Sequence, residues 1–307
     1  MGYPRQVIVA QIDICNPDKV LFPDSAASSD TGAGLTKRDL AEYYASVASV
    51  MLPHLTDRPI SMQRFPDGID NDGFYEKKVP SHFPDWIDTA EVRTADGPQS
   101  QVTISNARSL VYLANQGCIT PHTWLSRTRA LDRPDQLVFD LDPSIDDLTA
   151  LRRATTMCGE LLDEIGLTSY LKSSGSRGYH VVVPLRPQAA FDETRAFAVA
   201  VAEQLTRRAP DLMTTEHRKS DRGNRVYIDV TRNSFGQTLV PPYAVRARPG
   251  GPVSTPMEWY ELSRLEPGEY TITTLRRRLS TRGDPWNGIR RRAHGLTKAR
   301  EKLARLR

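Results

Sequence analysis

The 307-residue chain contains few cysteines, and their positions exclude two kinds of stabilisation. Cys15, Cys118 and Cys158 are far apart, and none lies in a Cys-x-x-Cys pair or beside a histidine cluster. Closely spaced cysteines are the usual ligands of structural zinc, and a dense, even set is typical of disulfide-rich secreted domains. The sequence therefore predicts no zinc site, and we expect a reducing, cytoplasmic environment.

Long apolar runs are also missing. No stretch approaches the roughly 20 apolar residues that a membrane-spanning helix requires. The N-terminal residues 1–6 (MGYPRQ) lack the apolar centre of a signal peptide, and Gln6 does not fit the myristoylation pattern. We therefore expect a soluble intracellular protein that has no membrane partner.

What remains is an ordinary globular composition with a slight excess of basic residues. Hydrophobic residues make up 39% of the chain and charged residues 25%, which are usual values for globular proteins. The length is sufficient for one large domain or two closely associated lobes. The net charge is +4 and the pI is near 9.0, which fits a phosphate-rich partner but is also common among other soluble proteins.

The most informative stretch is 139–143 (FDLDP). An apolar run at 137–139 (LVF) leads into it and predicts a buried strand. Side chains alternate along a strand, so Asp140 and Asp142 are expected on the same face. Adjacent carboxylates repel each other unless a cation lies between them, and their oxygen atoms suit Mg²⁺ or Mn²⁺. Taken alone, an Asp-x-Asp is more often a strand end followed by an ordinary turn, because such short motifs frequently match by accident.

Two further stretches favour phosphate chemistry. Residues 173–180 (SSGSRGYH) form a Gly/Ser loop that runs into the apolar strand 181–183 (VVV). Its glycines allow close approach of the backbone, and its amides, its hydroxyls and Arg177 can hold anionic oxygens. A third carboxylate, Asp229, stands in the apolar strand 226–230 (VYIDV). Three strand-borne aspartates around such a loop indicate two-metal phosphoryl transfer.

These three stretches, in this order, resemble the motifs of the archaeo-eukaryotic primase superfamily. They resemble most closely the polymerase domain of bacterial DNA ligase D and its stand-alone, Prim-PolC-like relatives. The resemblance runs from about Asn16 to Trp286 and includes 16–19 (NPDK), 35–37 (LTK), 64–68 (RFPDG), 133–135 (RPD) and 243–246 (YAVR). It implies an α/β (α+β) primase-polymerase core with two sheet-containing lobes flanked by helices.

The resemblance also implies a domain organisation. Residues 1–307 would form a single primase-polymerase catalytic domain, with an N-terminal lobe of about 1–120 that contacts DNA and a catalytic lobe of about 121–290. Residues 291–307 carry apolar side chains at helical spacing among many basic ones, which predicts an amphipathic helix. Its basic face would be either solvated or a DNA contact.

The catalytic site implied by the resemblance centres on the three aspartates. Asp140, Asp142 and Asp229 would hold two Mn²⁺ (or Mg²⁺) ions. The nucleotide-binding residues that it implies are His122, Ser174, Gly175, Ser176, Arg177, His180, Arg222 and Arg246. The departures from the family pattern remove no proposed metal ligand; they are Ser173, Arg177, Tyr179 and Ala244.

A second implied site binds DNA through phosphate. Asn16, Lys19 and Lys37 would hold the 5′-phosphate on the far side of a gap or break. Charge alone also fits two solvated lysines. Between them, the Gly/Ser-rich stretch 25–34 is predicted to be mobile. Thr36 is predicted to cap the helix that follows, and Pro53 is predicted to end it.

A third implied site concerns the template strand. Phe74 and Tyr75 are neighbouring aromatics in a polar setting, which could stack on template bases or belong to the core. If they lie in a strand, we expect only one of them on the outside. Arg64 and Lys77 are nearby candidates for phosphate contacts.

We therefore expect a template-directed DNA/RNA nucleotidyltransferase, a primase-polymerase. It would extend primers and fill short gaps or ends with a 5′-phosphate, with NTPs preferred over dNTPs, in bacterial end joining or gap repair. The expected partners are gapped or broken DNA, Ku, a DNA ligase or other repair proteins. The expected state is a monomer in the cytoplasm, associated with the nucleoid.

Two alternatives remain open at this stage. The first is a catalytically idle scaffold that binds DNA ends. The second is a metal-dependent glycosyltransferase, in which an Asp-x-Asp also holds a nucleotide diphosphate. The second leaves Asp229 and the two lysines unexplained.

Overall fold

The computed structural model describes residues 6–23, 34–94 and 97–306, so most of the stretch 25–34 lies outside the described residues. The chain divides into two compact units, and both are discontinuous in sequence. The first comprises Met1–Thr123, Val240–Thr255 and Gly268–Asp284, and the second comprises Trp124–Leu239, Pro256–Pro267 and Pro285–Arg307. The predicted lobe boundary near residue 120 leaves out two later segments of the first unit, Val240–Thr255 and Gly268–Asp284. The treatment of the whole chain as one catalytic domain stays a prediction.

The helices are distributed over both units. In the described residues they are α1 (Lys37–Leu55), α2 (Ala107–Asn115), α3 (Leu148–Glu164), α4 (Phe191–Arg208), α5 (Leu275–Arg282) and α6 (Thr297–Arg305). Helices α1, α2 and α5 belong to the first unit. Throughout the part of the chain that the structure describes, no helix combines the length and apolarity needed to cross a bilayer.

Helix α1 begins where the sequence predicts and ends later. Thr36 Oγ1 accepts from the Asp39 amide and Asp39 Oδ2 accepts from the Thr36 amide, which is a reciprocal capping box. The expectation that Pro53 ends this helix is wrong, because the helix continues to Leu55. Pro53 lies in the last turn, where its missing N–H removes only one bond of the helix, and Leu55 is fully buried.

The C-terminal helix is shorter than predicted. Residues 291–307 were expected to be helical, but Ile289–Arg292 forms a separate 3₁₀ turn and α6 covers only Thr297–Arg305. Between them, His294 forms a parallel β-bridge with Leu185. The backbone is extended there because it hydrogen-bonds to a strand, so the helix cannot start earlier.

The first unit contains short antiparallel strands packed around α1 and α2. These strands are β1 (Ile8–Val9), β2 (Ile12–Asp13), β3 (Val20–Phe22), β4 (Leu35–Thr36), β5 (Ile60–Arg64), β6 (Phe74–Glu76), β7 (Thr89–Thr94), β8 (Gly97–Val102) and β9 (Cys118–Trp124). Strands β1–β2, β3–β4 and β7–β8 form pairs, and β5 lies between β6 and β9. The core of this unit includes Tyr43, Met51 and Ile119, all buried.

The second unit is built on one six-stranded sheet with the order β13-β14-β10-β12-β11-β16. The strands of this unit are β10 (Gln136–Pro143), β11 (Tyr170–Ser173), β12 (Tyr179–Pro184), β13 (Met213–Thr214), β14 (Val226–Asp229), β15 (Thr238–Leu239) and β16 (Pro256–Met257). Phe139 and Leu141 of β10 face the core formed with α3 and α4. Val138 points the other way, toward Trp286. Strand β10 is therefore covered on both faces at its start, and its polar end supplies the site.

Candidate active site and nucleic-acid contacts

Three aspartates of the second unit share one face of the six-stranded sheet. Asp140 lies directly opposite Asp229 across the β10–β14 ladder, and Asp142 lies opposite Tyr227. Directly opposed residues of an antiparallel pair point to the same face, and so does the residue two positions along the strand. The acidic face, formed by Asp140, Asp142 and Asp229, is therefore set by strand register.

A transverse row of side chains extends this face across two more strands. His180 of β12 lies opposite Asp140, and Lys172 of β11 lies opposite His180. Lys172 Nζ is 2.8 Å from His180 Nδ1, and His180 Nε2 is 3.2 Å from Asp140 Oδ1. Because an ammonium group only donates, Nδ1 is the acceptor and the ring proton lies on Nε2, toward Asp140. The sequence pointed to His180 but not to Lys172, which is 1% exposed.

The two carboxylates of β10 have opposite electrostatic environments. Burial alone would raise the pKa of Asp140, but His180, Lys172 and Arg232 together lower it below its ordinary value. Burial, followed by the negative charges of Asp140 and Asp229, raises the pKa of Asp142 to about 7. The acidic face therefore holds like charges that repel each other, which a cation would relieve.

The donor atoms of this face fit a hard divalent cation. Asp140 Oδ1 is buried and lies 3.2 Å from His180 Nε2. Asp229 Oδ1 accepts from the Thr231 amide at 2.7 Å and from its hydroxyl at 2.6 Å. In the described ranges, no three His, Cys, Asp or Glu side chains are grouped closely enough to hold one ion as they stand. The carboxylate oxygens are therefore suitable ligands for a metal ion, but in this structure they are not spaced so that three side chains could bind the same ion.

The Gly/Ser loop is held tightly against the acidic end of β10. Ser174 Oγ accepts from the amides of Ser176 (3.2 Å) and Gly178 (3.1 Å), so its hydroxyl stabilises the turn itself. Gly175 has a φ of +65°, which favours glycine. A Cβ on Gly178 would lie 2.2 Å from the Leu141 carbonyl oxygen, so only glycine fits. Arg177 is exposed, and its charge opposes the rise in the pKa of Asp142.

Arg222 is held in place beside the same face. Its guanidinium lies 3.7 Å from the centre of the Tyr227 ring, a cation–π contact. It also donates to the carbonyl oxygens of Glu216 (2.9 Å) and His217 (2.8 Å). The positive charge of Arg222 also opposes the rise in the pKa of Asp142. A guanidinium fixed in this way is suited to an anionic ligand of the acidic face.

In the first unit, the structure brings together the three residues predicted to hold a 5′-phosphate. The Lys37 amide donates to Lys19 O at 2.9 Å, and the Lys19 amide donates to Asn16 O at 3.0 Å. We call Asn16, Lys19 and Lys37 the lysine cluster. Lys19 Nζ forms an ion pair with Asp67, and the buried Lys37 Nζ is 3.6 Å from Cys15 Sγ. No motif in the sequence pointed to Cys15 as a neighbour.

The aromatic pair is exposed on both sides of its strand. Phe74 is 46% exposed and Tyr75 is 57% exposed. The expectation that only one of them would lie outside is wrong, because β6 is an edge strand whose two faces are open. The Arg64 guanidinium lies 5.5 Å from the Phe74 ring centre and pairs with Glu76, so it supports the aromatic ring. Lys77 follows as an exposed residue.

His122 and Arg246 also belong to the first unit. His122 is 9% exposed; its ring packs against Tyr75 with centroids 5.4 Å apart, and its Nε2 is 3.4 Å from Gln63 Oε1. The Arg246 amide donates to Pro252 O at 2.8 Å. Their contact with a nucleotide stays a prediction.

Comparison with known proteins places the chain in a family. Residues 36–286 match the family described as LigD, primase-polymerase domain. The chain belongs to this family. The superfamily predicted from the three motifs is thereby confirmed, as is the assignment to a polymerase of the nucleotidyltransferase class. Polymerase domains of this family are metal-dependent.

Two curated relatives and one solved structure show the extent of the match. The bifunctional non-homologous end joining protein LigD of Bacillus subtilis is 33% identical over 272 residues, 88% of this chain and 42% of that protein. The multifunctional LigD of Pseudomonas aeruginosa is 34% identical over 283 residues, 90% of this chain and 32% of that protein. The chain thus spans less than half of these relatives.

The solved structure is the polymerase domain of Mycobacterium tuberculosis ligase D in complex with DNA. It matches with a TM-score of 0.84 and 31% identity, over 92% of this chain and 99% of that one. The predicted mixed α/β fold class is confirmed by this likeness.

Proposed function

We propose that this protein is a template-directed nucleotidyltransferase that extends a primer strand across short DNA gaps. The observation that carries the proposal is the direct opposition of Asp140 and Asp229, with Asp142 on the same face of the sheet. This arrangement presents three carboxylates to one ligand beside a loop and an arginine suited to phosphate. The proposal further assigns the protein to bacterial end joining, the process named in its LigD relatives, or to gap repair.

The acidic face and its neighbours have distinct roles in the proposed mechanism. Asp140, Asp142 and Asp229 would hold two Mn²⁺ or Mg²⁺ ions, which when bound lower the pKa of the primer 3′-hydroxyl and neutralise the departing pyrophosphate. Arg177 and Arg222 bind triphosphate oxygens as charged donors.

His180 and the loop orient the nucleotide. His180 carries its proton on Nε2, which lies 3.2 Å from Asp140 Oδ1, while the loop amides beside Gly178 contact phosphate oxygens. His122 and Arg246 complete the nucleotide site in this proposal. These groups accelerate the reaction by positioning the α-phosphate and by stabilising the charge that develops on it.

The DNA contacts of the proposal lie in the first unit. The lysine cluster binds the 5′-phosphate at the far side of the gap, and Phe74 and Tyr75 stack on template bases. We propose ribonucleotides as the preferred substrates, a monomeric enzyme that acts in the cytoplasm at the nucleoid, and Ku or a DNA ligase as partners.

Primer extension on gapped DNA tests this function. The assay compares NTPs with dNTPs, and Mn²⁺ with Mg²⁺, on short gaps with and without the 5′-phosphate. We expect metal-dependent extension that Asp140→Ala abolishes and that Asp163→Ala, a matched change on the exposed side of α3, preserves. If Asp140→Ala extends primers at nearly the wild-type rate, the assignment is wrong. Binding of 5′-phosphorylated gaps without any extension would favour a non-catalytic scaffold.

A further inference from the structure

A second concentration of positive charge lies in the same unit as the acidic face. A cavity of about 160 Å³ is lined by five arginines, which we call the arginine pocket: Arg127, Arg129, Arg133, Arg186 and Arg290. It borders Asp135, directly before β10, whereas Asp140 and Asp142 lie near the end of that strand. The pocket and the acidic face therefore lie at opposite ends of the same strand.

Backbone hydrogen bonds hold the three segments of the pocket together. The Asp135 amide donates to Leu125 O at 2.9 Å, which closes the loop that carries the first three arginines. The Leu185 amide donates to Asp135 O at 2.8 Å and fixes the position of Arg186 beside this loop. The β-bridge between Leu185 and His294 anchors the turn that carries Arg290. The arginines therefore converge because of the fold and not because of loop mobility.

Two of the five arginines in the pocket, Arg129 and Arg186, are not compensated by an acidic side chain in the described part of the chain. At its base, the buried Arg127 donates from Nε to Asp135 Oδ2 at 2.8 Å, which neutralises one charge. Arg133 lies 3.6 Å from the exposed Asp132. The guanidinium groups of Arg129 and Arg186 make no hydrogen bond or ion pair to an acceptor in the described part of the chain.

A neighbouring histidine reports the resulting positive field. Burial, and then the positive charge of Arg186, lower the pKa of His294 below its ordinary value. Like charges that line a concave surface focus their field and attract anions. The arrangement is therefore suited to an anionic ligand that the protein itself does not supply.

We propose that the arginine pocket binds a backbone phosphate of the DNA on which the protein acts. Its volume of about 160 Å³ is below the roughly 300 Å³ at which pockets for drug-sized ligands begin, so it admits a phosphate group rather than a whole nucleotide. Guanidinium groups match the phosphate group through paired hydrogen bonds. The proposal adds to the proposed function a DNA contact outside the catalytic face and the lysine cluster.

The distance between the arginine pocket and the acidic face, measured along β10, is compatible with one bound DNA strand that contacts both. Five residues separate Asp135 from Asp140, which at about 3.3 Å per residue is about 16 Å. One strand of a duplex advances by about 3.4 Å per nucleotide, so a phosphate about five nucleotides away would be at this distance. A DNA strand that ends at the acidic face can therefore place one of its backbone phosphates at the arginine pocket.

Matched charge removal tests the proposal. One variant carries Arg129→Gln, Arg186→Gln and Arg290→Gln; its control carries Arg153→Gln, Arg195→Gln and Arg264→Gln, three exposed arginines of the same unit. Arg127 is left intact because its buried ion pair supports the fold, and thermal denaturation checks that both triple variants are folded. Anisotropy of labelled gapped DNA is measured at several KCl concentrations.

We expect the pocket variant to bind at least tenfold more weakly than the control. The slope of log K against log [salt] should fall by about one unit, the value for one lost phosphate contact. Equal losses in the two triple variants would overturn the proposal. The proposal would also be overturned if the pocket variant lost affinity for pyrophosphate but kept its affinity for DNA. The pocket would then be a site for small anions.

The assay separates this proposal from the proposed function. Binding is measured without nucleotides or chemistry, so a protein that binds through the pocket but extends no primer would refute only the catalytic proposal. A protein that extends primers normally, with DNA binding unaffected by the pocket variant, would refute only the pocket.

Discussion

The acidic face and the lysine cluster differ in how their charged side chains are positioned and neutralised. The three aspartates stand on adjacent strands of a six-stranded sheet, and their separation follows from strand register. The lysines stand at the ends of β3 and β4, which form a two-stranded sheet. Lys19 is neutralised by its ion pair with Asp67. In the acidic face, the neighbouring positive charges do not offset burial and repulsion, so the pKa of Asp142 is raised to about 7.

This difference shows what a rigid scaffold contributes to a functional site. Like charges on flexible loops would move apart, but the sheet keeps the aspartates together, so their repulsion is available to favour a bound cation. The ion pair of Lys19 is partly exposed and screened by water, so it exchanges readily with a ligand phosphate. The acidic face is therefore expected to tolerate substitution far less than the lysine cluster.

The largest effect is expected from removing the carboxylate of β14. Asp229→Asn should lower primer extension by about a thousandfold or more, because positioning and charge stabilisation account for most of the acceleration. Affinity for gapped DNA should stay close to that of the wild type. Asp221→Asn, an exposed change shortly before β14, serves as the control. Extension by Asp229→Asn within tenfold of the wild type would show that sheet register does not define the site.

A smaller loss of activity is expected from removing Lys172, which lies at the end of the transverse row away from the aspartates. Lys172→Met should lower kcat/KM for the nucleotide by about tenfold to a hundredfold, the range for residues that orient a ligand group. The reason is that His180 loses the donor at Nδ1 and with it the fixed proton on Nε2. NMR of ¹⁵N-labelled histidine should show a mixture of tautomers in the variant. An unchanged tautomer, or an equal loss with Lys298→Met, would contradict this role.

The charge repulsion in the acidic face should also be visible in stability. The native protein keeps a proton on Asp142 up to about pH 7, whereas an unfolded aspartate releases it near about pH 4. Stability without metal should therefore decrease as the pH rises through this window. Asp142→Asn should be more stable than the wild type at pH 8 by about 2 kcal/mol, less than the full shift implies because solvent screens the group.

Thermal denaturation from pH 4 to pH 8 measures this difference. The advantage of the variant should shrink toward pH 4, where Asp142 is protonated in the native state and about half protonated in the unfolded state. Millimolar Mn²⁺ should reduce it by stabilising only the wild type. A constant difference at all pH values would show that Asp142 does not carry the repulsion.

The smallest effect is expected in the lysine cluster. Lys37→Gln should reduce the preference for a 5′-phosphorylated gap over a 5′-hydroxyl gap by about tenfold, the value of one charge-assisted contact of about 1.4 kcal/mol. The preference of the wild type should itself weaken with added salt. Lys298→Gln, at an exposed position of α6, is the matched control. A retained preference in the Lys37 variant would place the phosphate elsewhere.

Residues with a local signal could be predicted from the sequence. Alternation in β10 placed Asp140 and Asp142 on one face, and Thr36 followed by Asp39 predicted the start of α1. These features depend on the backbone geometry of a few neighbouring residues, which the amino-acid order determines directly.

Features that depend on pairing between distant segments could not be predicted in this way. Lys172 belongs to the row only because β11 pairs with β12 in one register, and nothing in its neighbourhood indicates this. The same applies to Cys15 beside Lys37, which meet because the ends of β3 and β4 are paired. The exposure of both Phe74 and Tyr75 depends on the edge position of β6, which is a property of the whole sheet.

Gly178 has a consequence for how the site responds to its surroundings. Its α-carbon packs so closely on the Leu141 carbonyl that a Cβ would lie 2.2 Å from that oxygen. The spacing between the loop and the acidic strand is therefore set by van der Waals contact between two main chains. Unlike an ion pair, such a contact requires no rotamer choice and is not weakened by ionic strength. The triphosphate site proposed at this loop should thus keep its dimensions in salt concentrations that weaken the proposed phosphate contacts to DNA.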